Sequence, residues 1–212
     1  MEIAILIFDR FTALDAIGPY EVLRSAPEAS VKFVARERGP VRTDAGSLAL
    51  VADYALDEVT SPDVLVVPGG PGQVALMDDQ ATLGWVRRVH EGTKWTTSVC
   101  TGSLILGAAG LLKGLRATSH WLALDILGKL GAEPVTERVV IEGKIITAAG
   151  VSAGIDMALT LAGREFGAET AQMIQLGIEY DPQPPFDAGS PGKAPQAIVE
   201  RLRGWSRFIL EG

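Results

Sequence analysis

Residues 95–112 read WTTSVCTGSLILGAAGLL. The first five favour an extended strand, and the run 104–112 is almost wholly apolar and rich in Leu and Ala. A short strand, one intervening residue and then a helix is the reading this pattern supports. Cys100 is the intervening residue, followed by Thr101, Gly102 and Ser103. Gly102 and Ser103 are small enough for a tight strand-to-helix turn of the nucleophile-elbow kind. A lone cysteine is more often a small buried hydrophobe than a reagent. At this junction the balance reverses, because the first helical turn offers the sulfur unbonded N–H groups and the positive end of the dipole. Both favour thiolate, so the expected pKa lies below the ordinary thiol value of roughly 8.5.

Working outward, short unalternating apolar runs recur at 3–8, 31–35, 64–67 and 145–147. Strands of that kind are buried on both faces, as in a parallel sheet covered by helices. Helical patterns fall between them, at 19–25, 79–90, 104–112, 121–130, 153–166 and 168–180. In 79–90, for example, Leu83, Val86 and Val89 share one face. Strands alternating with helices define an α/β class with right-handed crossovers. A hairpin is expected where 135–141 and 144–148 flank Glu142 and Gly143. The stretch DPQPPFDAGSPGKAP, 181–195, holds five prolines and is expected to be loop, with Phe186 packed against the body. A helix over 196–210 would follow, and the whole of 1–212 is expected to form one domain.

Composition narrows the function classes. The chain carries a net charge of −7 without a basic cluster, which argues against nucleic-acid binding and adhesion to anionic lipid. A single cysteine makes no intrachain disulfide and no paired-cysteine metal motif, which favours a reducing compartment. The apolar run 3–8 is short and lacks a basic leader, so it reads as a strand and not a signal peptide. The run 104–112 is far too short to span a bilayer. The expectation is a cytoplasmic protein with no membrane association and no metal site.

In a doubly wound sheet, sites collect at the carboxyl ends of strands. One such end reads PGGPG, 68–72. It lacks the lysine of a phosphate loop and the spacing of a dinucleotide site. Gly69 and Gly70 suit an oxyanion hole better, with the Gly70 N–H joining that of Thr101; the bland alternative is a plain tight turn. Asp15 follows the first strand among Leu14, Ala16 and Ile17. A carboxyl so poorly solvated holds its proton more tightly. Beside a thiolate it would act first as general acid, then as base. Its bland alternative is a cap or a solvated loop residue before a helix opening at Pro19. His120, in TSHW at 118–121, either lines the pocket or simply starts the helix at Trp121. Ile17, Val151, Trp121 and Phe186 are the apolar candidates for shaping a pocket.

Taken in order, LDAIGPYEVL (14–23), VPGG (67–70), SVCTGSLILGAAGLL (98–112), ATSHW (117–121) and AGIDMAL (153–159) resemble the ThiJ/PfpI superfamily. The later stretch QLGIEYDPQPPFDAGSP (175–191) resembles its isocyanide hydratase branch. That resemblance implies a flavodoxin-like fold, a homodimer and no cofactor. It places the nucleophile on Cys100, the acid on Asp15, the residue after the nucleophile on Thr101, and backbone contacts on Gly69 and Gly70. Peptidase-type members carry His where Thr101 stands, and glyoxalase-like members usually carry Glu where Asp15 stands; both departures count against those activities. The implied reaction is hydration of a small-molecule isocyanide, R–N≡C, to an N-substituted formamide through a thioimidate on Cys100. The alternatives are a glyoxalase-like enzyme on small dicarbonyls and a cysteine-based redox or small-ligand sensor. The segment after 195 is too short for the DNA-binding module of a regulator.

Overall fold

Apolar residues that do not alternate need cover on both sides, and the fold supplies it. The computed structural model describes residues 1–204. Seven strands form the main sheet: β1 Glu2–Leu6, β2 Ser30–Ala35, β3 Tyr54–Ala55, β4 Val64–Val67, β5 Trp95–Val99, β6 Val139–Glu142 and β7 Ile145–Ala148. Their order is β6-β7-β5-β4-β1-β2-β3. Every neighbouring pair is parallel except β6 with β7. β4 and β7 are buried along their whole length, and β1 along all but its first residue. The helices are α1 Ala13–Leu23, α2 Gln73–Asp78, α3 Gln80–Gly92, α4 Gly102–Ala108, α5 Leu124–Lys129, α6 Ala153–Phe166, α7 Ala168–Gly177 and α8 Gln196–Gly204. α1 packs on α6 and α6 on α7, while α4 is packed by α2, α3 and α5. These groups cover the two faces, as the flavodoxin-like α/β class requires.

The chain leaves β1 for β2 on one side and returns to β4 and β5 on the other. That reversal opens a crevice at the carboxyl ends of β1 and β4. Around it gather the first turn of α1, the loop 68–72 and the start of α4. The elbow itself is tight. Cys100 has φ 56°, in the left-handed region. Gly102 comes so near β4 that a Cβ there would lie 2.0 Å from the Val67 carbonyl oxygen. No other residue fits without displacing a backbone.

Several boundaries differ from the sequence reading, each for a local reason. α1 begins at Ala13, so Asp15 lies in its first turn and Pro19 lies inside the helix. Gly18 and Pro19 face α6 there, next to Ile155 and Gly154. The tight contact between these helices outweighs the usual cost of an interior proline. The hairpin's first strand starts at Val139 and not at 135, because Glu133–Pro134 pair with Arg116–Ala117 and leave 135–138 as a connection. α4 ends at Ala108, four residues short of the apolar run. A further hairpin pairs Gly39–Arg42 with Ala49–Ala52 and was not expected, although ALVA at 49–52 is a short apolar run. Phe186 is 78% exposed among the described residues, contrary to the expectation that it packs against the body. The last helix runs Gln196–Gly204; the expected continuation over 205–210 lies outside the described residues. No helix among the described residues is long and apolar enough to cross a membrane.

Gly102→Ala is therefore expected to lower stability by about 1–3 kcal/mol, the scale of forced overpacking. Urea denaturation should show an earlier midpoint at unchanged slope. A midpoint equal to that of the parent would mean that α4 does not depend on this contact.

Candidate active site

Three chain segments that are distant in sequence build the site. β5 delivers Cys100 and α4 carries away from it. Its N–H donates to the carbonyls of Ala148 and Ala149, at 3.1 and 2.9 Å, where β7 ends. Its own carbonyl accepts from the hydroxyls of Ser103 and Ser119, at 3.2 and 3.0 Å. The residue is thus pinned at both ends of its peptide, which sustains the left-handed backbone. The Ser119 contact was not foreseen; nothing in the sequence announces a hydroxyl that must reach across 19 residues.

The loop after β4 is the second segment. Gly69 N–H donates to Asp15 Oδ2 at 2.9 Å, and Gly70 N–H donates to Thr101 Oγ1 at 2.9 Å. A Cβ at Gly69 would lie 2.5 Å from the Thr101 nitrogen and 3.0 Å from Asp15 Oδ2, so only glycine allows this approach. Both N–H groups were expected to form an oxyanion hole. In the structure they hold the acid and the residue after the nucleophile instead. Thr101 Oγ1 is likewise committed to the loop and does not orient the sulfur.

Asp15 is the third element. It is fully buried in the first turn of α1 and hydrogen-bonded to the Cys100 thiol. The sulfur also receives the backbone N–H groups of Val151 and Thr101. Burial pushes the Cys100 thiol well above its ordinary value, and the Asp15 charge pushes it further, while those two N–H groups pull it down. The expectation of a lowered pKa is thereby corrected. A helix start was legible, but the absence of solvent and the adjacent carboxylate were not. Thiolate and carboxylate repel, so a negative charge on Asp15 opposes one on Cys100.

A cavity of about 780 Å3 adjoins the elbow; Cys100, Asp15, Thr101, Gly69 and Gly70 do not line it and lie buried behind its wall. Ser119, Ala149 and Val151 line its inner wall, and each of these touches Cys100 through the hydrogen bonds above. Val151 has φ 25°, rare for a β-branched residue, and this backbone turn aims its N–H at the sulfur. His120 lines the cavity and also serves the local fold, accepting from Leu122 N–H at 3.3 Å and stacking on Trp121. Ile17 does not line the cavity; it lies half-buried on α1, away from it. Arg138, Arg203 and the stretch 189–192 do line it, and sequence patterning did not single them out. Their positions follow from how the connection 135–138, the proline-rich loop and α8 fold back over the crevice. Among the described residues, no group of three or more His, Cys, Asp or Glu is placed to hold a metal ion.

A parallel sheet with a left-handed cysteine at the elbow and a buried acid beside it defines a family. A sequence model of the DJ-1/PfpI family matches residues 1–164, and the chain belongs to that family. Over 203 residues the chain is 47% identical to an isonitrile hydratase of Pseudomonas putida, covering 96% of this chain and 89% of that protein. The crystal structure of a ThiJ/PfpI family protein from Pseudomonas syringae superposes with a TM-score of 0.93 at 41% identity, covering 96% of this chain and 85% of that one. A deglycase of Thermococcus kodakarensis is 32% identical over 150 residues, covering 69% of this chain and 89% of that protein.

Two outcomes follow from the raised thiol value. Asp15→Asn removes the second-largest cause of the raised thiol value, so the ultraviolet thiolate absorbance of Cys100 should develop at lower pH than in the parent; an unmoved titration would uncouple the two groups. Stability should also fall on the alkaline side. The unfolded thiol loses its proton near pH 8.5 while the folded one retains it, so stability is full below that value and declines as pH rises toward the folded value. Cys100→Ser should abolish this part of the decline in pH-dependent urea melts.

Proposed function

We propose that the protein is an isocyanide hydratase, with Cys100 as nucleophile and Asp15 as proton shuttle. The observation that carries the reading is the buried contact between the Cys100 thiol and the Asp15 carboxyl. The identity with the Pseudomonas putida isonitrile hydratase supports it. The reactive species has the proton on Asp15 and the charge on sulfur, which then accepts the Val151 and Thr101 N–H groups. The thiolate attacks the terminal carbon of R–N≡C, forming a C–S bond, and Asp15 delivers its proton to the same carbon. The product is a covalent thioimidate, R–N=CH–S–Cys100. Asp15, now a carboxylate, takes a proton from water as the water oxygen adds to that carbon. The hydroxyl proton of the adduct passes to nitrogen, the C–S bond breaks, and R–NH–CHO leaves. Cys100 thiolate and protonated Asp15 are restored, so the cycle balances with one water consumed.

Shape favours this reading over a dicarbonyl substrate. Cys100 has no exposed surface. A linear, two-atom isocyano head needs less displacement of the Ser119 and Val151 wall to meet a buried sulfur than a branched dicarbonyl needs. The cavity is also within the roughly 300–1,000 Å3 range that holds a drug-sized molecule, far more than a three-carbon aldehyde fills. Burial disfavours the sensor reading as well, because oxidation tracks accessible thiolate. The homodimer and the absence of a cofactor remain part of this proposal, drawn from the family resemblance.

The assay is formamide formation from an aryl isocyanide, followed with Cys100→Ala and Asp15→Asn. Cys100→Ala should show no turnover, and Asp15→Asn should lose about 10²–10⁴ in rate, the usual scale for a removed acid–base group. Parent turnover no faster than that of Cys100→Ala sinks the proposal, and lactate formed from methylglyoxal without formamide formation would replace it.

A further inference from the structure

The walls of the cavity have a charge pattern opposite to that of the chain. The protein carries −7 overall, yet two arginines, Arg138 and Arg203, line the cavity, and no Asp or Glu does among the described residues. The two arginines are not equivalent. Arg138 is already committed: its Nε donates to Asp156 Oδ2 at 2.6 Å, and its Nη2 donates to Ser152 Oγ at 3.3 Å. Tyr180 OH donates to the same Asp156 carboxylate at 3.3 Å. This network ties the connection before β6 to the start of α6, and its charges are internally matched. Arg203, on α8, has its guanidinium carbon 5.8 Å from the centroid of the Trp121 ring and no ion pair among the described residues. A guanidinium held over an indole keeps its edge donors available while its flat face is occupied.

We infer that the cavity selects isocyanides bearing a carboxylate, with Arg203 as the residue that binds the anion and Trp121 as the surface under the body of the molecule. The clause that the reacting group is an isocyanide rests on the function proposed above. The rest follows from the cavity itself. Ser119 and Val151 touch Cys100, whereas Arg203 enters the lining from α8 and lies over the Trp121 ring, two residues beyond Ser119. A substrate with its isocyano head at the sulfur and its body on Trp121 has its other end within the same cavity as Arg203. The apolar surfaces of Trp121, Leu124 and Pro191 suit a ring or chain between the two ends. Arg203 lies beyond residues 1–164, the part matched by the family, whereas Trp121 lies within it, so the anion-binding group alone comes from the tail.

The test separates the anion subsite from the chemistry. Binding of 4-formamidobenzoate and of its methyl ester is measured by calorimetry, on the parent, Arg203→Gln and Arg203→Lys. The parent should favour the carboxylate by about tenfold, the scale of one charge-assisted hydrogen bond. Arg203→Gln should bring the ratio near one, and Arg203→Lys should restore part of it. An equal affinity for acid and ester in the parent overturns the inference. So does a ratio that survives Arg203→Gln, since a merely structural role would weaken both ligands together. Turnover of 4-isocyanobenzoate and its ester is measured alongside. Discrimination in binding without hydration of either would refute the hydratase reading and leave the anion subsite standing. Hydration of both without discrimination would do the reverse.

Discussion

The site depends on two peptide N–H groups, those of Gly69 and Gly70. One holds the Asp15 carboxylate and the other the Thr101 hydroxyl. The clamp is reciprocal, because the Gly69 carbonyl accepts from Thr12 N–H at 2.8 Å, at the residue from which α1 starts. One two-residue loop thereby sets the distance between α1 and α4, and with it the distance between acid and thiol. Buried hydrogen bonds to a carboxylate are worth more than neutral ones, and none of these groups has water as a substitute partner. A side chain at Gly69 would separate the two helices that the loop joins.

Closeness has an electrostatic consequence. A thiol at a helix start is usually pictured as acidic, yet here burial and the Asp15 charge dominate over the N–H groups of Thr101 and Val151. Desolvation acts on the full charge of the thiolate, while two backbone dipoles offset only part of it. The result is a matched pair and not an activated thiol with a separate acid. Such a pair suits a reaction that needs a nucleophile and a proton at one carbon atom in the same step. It suits free thiol oxidation poorly.

The second layer of the site is assembled differently. Cys100 and Asp15 sit at a strand end and a helix start, where a rigid sheet fixes positions. The cavity beside them is closed by connections: 135–138, the loop holding Gly189 and Gly192, and α8. Loops on a rigid scaffold are where recognition varies most easily. The buried thiol and carboxyl and the cavity lining are thereby carried by separable parts of the fold.

The sequence alone determined the class of fold and singled out Cys100 and Asp15 as a pair to be compared in space. Unalternating Val and Ile runs require cover on both faces, which dictates a parallel sheet; a cysteine between such a strand and an apolar helix has few structural explanations. The start of α1 was misread at Pro19, since local propensity disfavours an interior proline and says nothing of the contact with α6 that sustains it. Phe186 was misread for a related reason: hydrophobicity predicts burial only where a partner surface exists. The tertiary structure alone decided what Asp15, Gly69, Gly70 and Thr101 do to one another, because 54 residues separate Asp15 from the glycine that holds it and hydrogen-bond direction has no local signature. It also decided the ionisation of Cys100. Helix polarity can be read along the chain, but desolvation depends on everything that surrounds the sulfur, and only the packed fold supplies that.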